Sequence, residues 1–234
     1  MIQTDPAGGF EVPLGEPGTG PTAPVEPGTV LTTTRPAHWL VHADGRHCPL
    51  PVRRWHGPPE PAVRSVVARC TGPTIDLGCG PGRLTGALAQ RGLVALGVDI
   101  SADAVRLTRA RGAAAIRRDV FEPLPGEGRW AHALLIDGNI GIGGDPTTLL
   151  RRCAALVTAD GTVLVELEPP GLGLWRGQVQ VASGGPGRGL YRGPSFRWAR
   201  VGVEAAQPAA AGAGLRVREV FRAGRRWFAE LVHR

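Results

Sequence analysis

From about residue 61 onward the chain alternates between two hydrophobic rhythms. In 61–70, Val63, Val66 and Val67 recur at helical spacing behind Pro61, a residue suited to a first helical turn. Residues 74–77 (T-I-D-L) form a short apolar run, as expected of a buried strand. A helix is expected over 83–91, with Leu84, Ala87 and Leu88 on one face and Gly92 closing it. A second strand is expected over 93–98, then a helix over 102–111 with Ser101 as its N-cap, then a short strand over 114–117. A fourth strand follows over 130–136. Asp145-Pro146 supplies the cap and first turn of a helix reaching about 157, and 162–167 is a fifth strand. Strand and helix alternating in this way predict an α/β fold: a doubly wound, mostly parallel sheet with helices on both faces.

The flanks break the rhythm. Residues 1–34 are rich in Pro, Gly and Thr, offer little to bury, and are expected to be a disordered tail. The remainder, 35–234, reads as one domain. It opens with a cap over 36–60, in which Asp44-Gly45 marks a hairpin turn and Trp39 and Trp55 are packing residues. Residues 168–197 are expected to be a long loop serving as a lid over the substrate, mixing Trp175, Tyr191 and Phe196 with Arg176, Arg188, Arg192 and Arg197. A helix is expected over 198–211. A closing hairpin is expected from 215–221 and 227–232, turning at 223–225.

Composition adds constraints more than detail. The 27 basic side chains, all arginine, outnumber 20 acids, for a net charge of +7. Four of those acids (Asp5, Glu11, Glu16, Glu26) lie in the first 34 residues, which hold no base, so the body is more basic than the whole. Such a body suits an anionic substrate or nucleic acid, or is a solvated arginine surface. The four cysteines, Cys48, Cys70, Cys79 and Cys153, include no C-x-x-C pair and give no zinc or disulfide framework. His38, His42, His47 and His56 cluster near Cys48, but at no metal-ligand spacing, so no metal is expected. With no signal-peptide pattern and no membrane-length apolar run, the reading is a cytoplasmic protein with no membrane partner.

The chemistry concentrates in 74–84, T-I-D-L-G-C-G-P-G-R-L. Closely spaced glycines after a strand let backbone approach a ligand and aim N–H groups at it. The dinucleotide pattern G-x-G-x-x-G fails, because Arg83 stands where its last glycine belongs. Asp76, two residues before Gly78, would repel a pyrophosphate and suits a ligand with a cationic end. Asp99 closes the second strand, beside the glycine turn in a parallel sheet, where its two oxygens can accept both hydroxyls of a ribose. Asp119 follows the third strand and Asp137 the fourth.

This stretch, with Asp99 and Asp119 in register, resembles motif I and its partners in the class I S-adenosylmethionine (SAM)-dependent methyltransferases. The match covers roughly 61–167. The resemblance implies a Rossmann-like, seven-stranded sheet in which the terminal hairpin supplies one antiparallel strand, and S-adenosyl-L-methionine as cofactor. It also implies roles for this chain's residues. Asp76 and the backbone of Gly78, Cys79, Gly80 and Gly82 would hold the methionine part, Asp99 beside Ile100 the ribose, and Asp119 with Val120 the adenine. Asp137 would lie near the sulfonium.

The catalytic group stays open among Asp137, Glu166, Glu168 and a histidine of the cap such as His42. The sequence D-G-N-I-G after the fourth strand differs from the Asn/Asp-Pro-Pro-aromatic run of enzymes that methylate exocyclic base or amide nitrogens. No acid set for Mg²⁺ can be assembled. A small-molecule oxygen or nitrogen acceptor is expected, with the lid arginines tilting it toward an anionic one. The alternatives are an RNA or protein methyltransferase, supported by the basic body, and a SAM-binding protein without turnover.

Overall fold

The computed structural model describes residues 37–185 and 188–234; the expected tail over 1–34 lies outside the described residues. The alternating core follows the sequence pattern closely. Helix α2 (Pro61–Arg69) leads into β3 (Thr74–Leu77), α3 (Arg83–Gln90), β4 (Ala95–Asp99), α4 (Ala102–Ala110) and β5 (Ala114–Arg117). Then come β6 (Trp130–Leu135), a kinked 3-10 segment (Asn139–Gly144), α5 (Pro146–Leu156) and β7 (Val157–Leu167). Helix α6 (Val203–Ala211) and the hairpin β10 (Leu215–Ala223) and β11 (Arg226–His233) close the chain.

The large sheet has seven strands in the order β10-β11-β7-β6-β3-β4-β5. The pairs β7–β6, β6–β3, β3–β4 and β4–β5 are parallel, while β11 runs antiparallel to both β7 and β10. This is the sheet that the resemblance implied. Its central strands read as continuous apolar runs because helices cover both faces. Ile75, Leu77, Ala133 and Leu135 point into one core with α5 and α6, while Leu134, Ile136 and Leu164 face the other with α2 and α3. The caps match the sequence: Ser101 Oγ accepts from the Ala104 N–H, and Asp145 from the Thr147 N–H.

The flanks depart from expectation. The segment 168–197 is mostly strand, not loop, and 198–201 is not helical. Strands β8 (Leu174–Gly185) and β9 (Arg188–Val201) form a long hairpin. It pairs with the cap's own hairpin, β1 (Ala37–His42) and β2 (His47–Pro49), in a second sheet of order β2-β1-β8-β9. The physical reason lies in alternation hidden among glycines and a proline. Val179, Val181, Phe196 and Trp198 are buried on one face and pack with Leu40 and Ala104 in a third core. Pro194 falls where the register slips between Gln180 and Ala182, on an edge strand, where a missing N–H costs little. Cap and lid are therefore one four-stranded roof. It rests on the Asn139–Gly144 segment and α4, above the carboxyl ends of the parallel strands.

Candidate active site

The glycine turn after β3 is held from several sides. The Gly78 and Cys79 N–H groups both donate to the Val98 carbonyl, at 2.8 and 3.1 Å. The Gly80 N–H donates to Asp99 Oδ2 at 2.8 Å, and the Ser101 N–H to Asp99 Oδ1 at 2.9 Å. Asp99 thus ties the turn to the end of β4 while still lining the cavity above. Asn139 Nδ2 donates to the Leu77 and Gly78 carbonyls, at 2.9 and 2.8 Å, fastening the end of β6 to the same turn. Two glycines serve different needs. A Cβ on Gly82 would sit 2.5 Å from Thr108 Oγ1, so this glycine admits α4; a Cβ on Gly80 would meet nothing within 4 Å. Gly80 opens onto the cavity with φ +53.

The cavity measures about 380 Å³, within the range of small-molecule sites. Its floor is the glycine turn with Asp99 and Ile100. One end is formed by Asp119, Val120 and Phe121, the other by Asp137, Glu166 and Glu168. Leu40, Cys48, Phe196 and Trp198 of the roof cover it. All but two of the expected cofactor residues line it; Asp76 and Gly82 do not. Asp76 is 2% exposed, beneath the turn, where Thr85 Oγ1 donates to its Oδ2 at 2.7 Å. Burial pushes its carboxyl up to about 7, with Asp137 and Asp99 adding repulsion. In place of the cavity expected for it, Asp76 Oδ2 meets a hydroxyl on α3. At the far end, the Phe121 N–H donates to Asp119 Oδ1 at 2.9 Å, and Phe121 lies against Gly143, where a Cβ would come within 2.8 Å of its ring.

Asp137 is the one non-glycine residue with positive φ (59°) among the described residues, a conformation Asp tolerates better than most. It sits inside an ion-pair network that spacing alone did not reveal. Arg83 Nη2 reaches Asp137 Oδ2 at 2.5 Å; Arg226 and Arg54 reach Oδ1 at 2.8 and 3.1 Å. Arg226 also donates to Glu166 from Nε and Nη2, at 2.6 and 2.5 Å, and the Asp137 N–H donates to Glu166 Oε2 at 2.6 Å. Glu60, from the α2 cap, pairs with Arg83 and Arg226. Arg83 is 3% exposed and its Nε is buried without a hydrogen-bond partner. Glu168 stands apart from this network, accepting from Arg200 Nε at 2.8 Å.

His42 does not line the cavity. It is 5% exposed within the roof, its ring 4.5 Å edge-on from Trp175 and its Nε2 3.6 Å from Cys48 Sγ. Burial pulls its pKa below the usual histidine value. Of the candidate catalytic groups, His42 is the one placed in the roof, at the end of β1, and off the cavity lining. One arginine behind the anionic-substrate expectation is committed elsewhere: Arg176 pairs with Asp145 at 2.9 Å. Arg197 remains on the cavity lining. Asn139, Glu60 and Arg226 are site residues that sequence reasoning missed. Of these only Asn139 carried a local signal, its position in D-G-N just past a strand.

Among the described residues no helix is long and apolar enough to cross a membrane. Residues 75–161 match a family model described as a methyltransferase domain. No curated protein matches the chain. Among solved structures, the chain is similar to a SAM-dependent methyltransferase from Bacteroides fragilis in complex with S-adenosyl-L-homocysteine. That pair shares 20% identity, covers 84% of this chain and 87% of the other, and has a TM-score of 0.68. It is also similar to the methyltransferase CcbJ from Streptomyces caelestis (17% identity, 76% and 92% covered, TM-score 0.61). A third is the sugar N-methyltransferase KedS8 from a Streptoalloteichus species (16% identity, 94% and 100% covered, TM-score 0.60). The matched segment runs from β3 into β7, so over residues 75–161 the chain is similar to a methyltransferase domain, and it shares its fold with these structures.

Proposed function

We propose that the chain transfers the methyl group of SAM to a nitrogen or oxygen atom of a small molecule enclosed beneath the roof. The observation that carries this reading is the open face of Gly80. Its N–H is locked to Asp99, the space where a side chain would stand is empty, and that space belongs to a cavity of ligand size. The fit to SAM rests on the same features. The backbone at 78–80 would take the methionine part, Asp99 the ribose hydroxyls through its remaining lone pairs, and Asp119 with the Val120 backbone the adenine. Asp76 supports the turn from below instead of touching the ligand. SAM supplies a methyl group on a sulfonium, already a good leaving group. The protein's contribution is therefore orientation and electrostatics more than strong acid–base chemistry.

Enclosure favours a small acceptor over a polymer. The roof packs through Phe196 and Trp198 on Ala104 and Ile142 and lines the cavity. The similarity to a sugar N-methyltransferase over 94% of this chain agrees in kind. Incubating the protein with methyl-labelled SAM and an extract of the cells that make it, then fractionating by size, tests the reading. Label in the low-molecular-weight fraction is the expected result. Label in RNA or protein, or none in any fraction, would contradict it.

A further inference from the structure

The geometry points to Glu168 as the carboxylate that faces the acceptor atom, and to an uncharged amine nitrogen as that atom. This deepens the methyl-transfer reading and rests on it. The end of the cavity formed by β6, β7 and the roof is left for the acceptor once the glycine turn, Asp99 and Asp119 are occupied. Three carboxylates line that end, and two are already neutralised. Asp137 meets guanidinium nitrogens at both oxygens, from Arg54, Arg226 and Arg83. Glu166 is held at both oxygens by Arg226 and takes the Asp137 N–H as well. Glu168 differs. Arg200 holds Oε1 alone; among the described residues no hydrogen bond reaches Oε2, and the side chain stays 33% exposed along the cavity. Its backbone is fixed, the N–H donating to the Val201 carbonyl at 2.8 Å.

An anchored carboxylate on the cavity lining, with one oxygen outside the described hydrogen bonds, selects among acceptors by charge. A phenolate, enolate or carboxylate acceptor would set a second negative charge beside its free oxygen. An alcohol must give its proton to such a weak base as it attacks, which adds to the barrier. A neutral amine needs no prior deprotonation. Its lone pair forms the new C–N bond as the S–C bond breaks, with that bond's electron pair remaining on sulfur. Positive charge thereby passes to nitrogen, beside Glu168. The carboxylate stabilises the transition state more than the ground state, which is the condition for catalysis. The methylated ammonium then gives up its proton through the carboxylate to water. Phe196 and Trp198, set edge to face with centroids 6.0 Å apart, line the same cavity, and aromatic walls favour a cation.

Sinefungin, the SAM analogue with C–NH₃⁺ in place of S⁺–CH₃, puts an ammonium where the methyl group meets the acceptor. Its affinity, and that of S-adenosylhomocysteine, can be measured by calorimetry on the intact protein and on Glu168→Gln. The expected result is that the intact protein prefers sinefungin by about tenfold or more, and that Glu168→Gln loses this preference while keeping its affinity for S-adenosylhomocysteine. A preference that is absent, or that survives in Glu168→Gln, overturns the inference. Failure of both analogues to bind the intact protein overturns the methyl-transfer reading instead. A second arm uses methyl-¹³C SAM and cell extract. An N-methyl carbon resonance in the product supports the assignment, and an O-methyl resonance contradicts it.

Discussion

Asp76 is the residue whose role changes most between sequence and structure. The acid before the glycines looked like a ligand contact, yet its carboxyl is buried on Thr85 and raised from an ordinary 3.8 to about 7. A carboxyl whose pKa is higher folded than unfolded binds its proton more tightly in the folded state. Its contribution to stability is fully present below pH 3.8, and is lost as pH rises through about 7. Asp76→Asn keeps an oxygen that can accept from Thr85 but cannot ionise. Its melting temperature relative to the parent is expected to climb between pH 5 and pH 8; a difference flat with pH would contradict the burial argument. The sequence could not show which way this oxygen turns, because Thr85 lies on the far side of the turn, on another element. The arginines around Asp137 were hidden for the same reason. Glu60, Arg83, Asp137, Glu166 and Arg226 come from the α2 cap, α3, the end of β6, β7 and β11, and no local pattern joins them. Asp99 was legible because a strand end beside a glycine turn is a consequence of parallel order alone.

At the scale of elements, the roof is where periodicity was hardest to read. The core strands β3 to β6 are short, mainly apolar runs whose boundaries fell within about two residues of expectation, while β7 begins at Val157, ahead of the expected 162. Strands β8 and β9 carry Gly177, Gly193 and Pro194 among their alternating residues, and a loop reading followed. Gly177 is itself explained by packing, since a Cβ there would meet the Trp175 ring at 2.4 Å. The roof's seat on the large domain depends on another close approach. A Cβ on Gly141 would stand 2.2 Å from the Ala199 carbonyl oxygen and 2.7 Å from the Trp198 indole. Gly141→Ala is therefore expected to push β9 off the Asn139–Gly144 segment, costing about 1–3 kcal/mol as overpacking does. It should also shift tryptophan fluorescence as Trp198 gains water. A melting curve and an emission spectrum matching the parent would show that the roof is not seated there.

At the scale of the whole molecule, a parallel sheet presents its carboxyl ends to a cavity, and a second, antiparallel sheet closes it. The first sheet carries the residues proposed for the cofactor, the second most of the apolar wall proposed for the acceptor. The glycine turn is the hinge of this division, since Asp99 and Asn139 tie it to the strands on either side. The account stands or falls on SAM binding above Gly80. Calorimetric titration of SAM into the intact protein and into Gly80→Val, with circular dichroism to confirm that both are folded, tests it most directly. The account predicts saturable heat for the intact protein and a loss of affinity of about tenfold or more for Gly80→Val, whose side chain would enter the cavity. No heat in the intact protein, or equal affinity in a folded Gly80→Val, would contradict it.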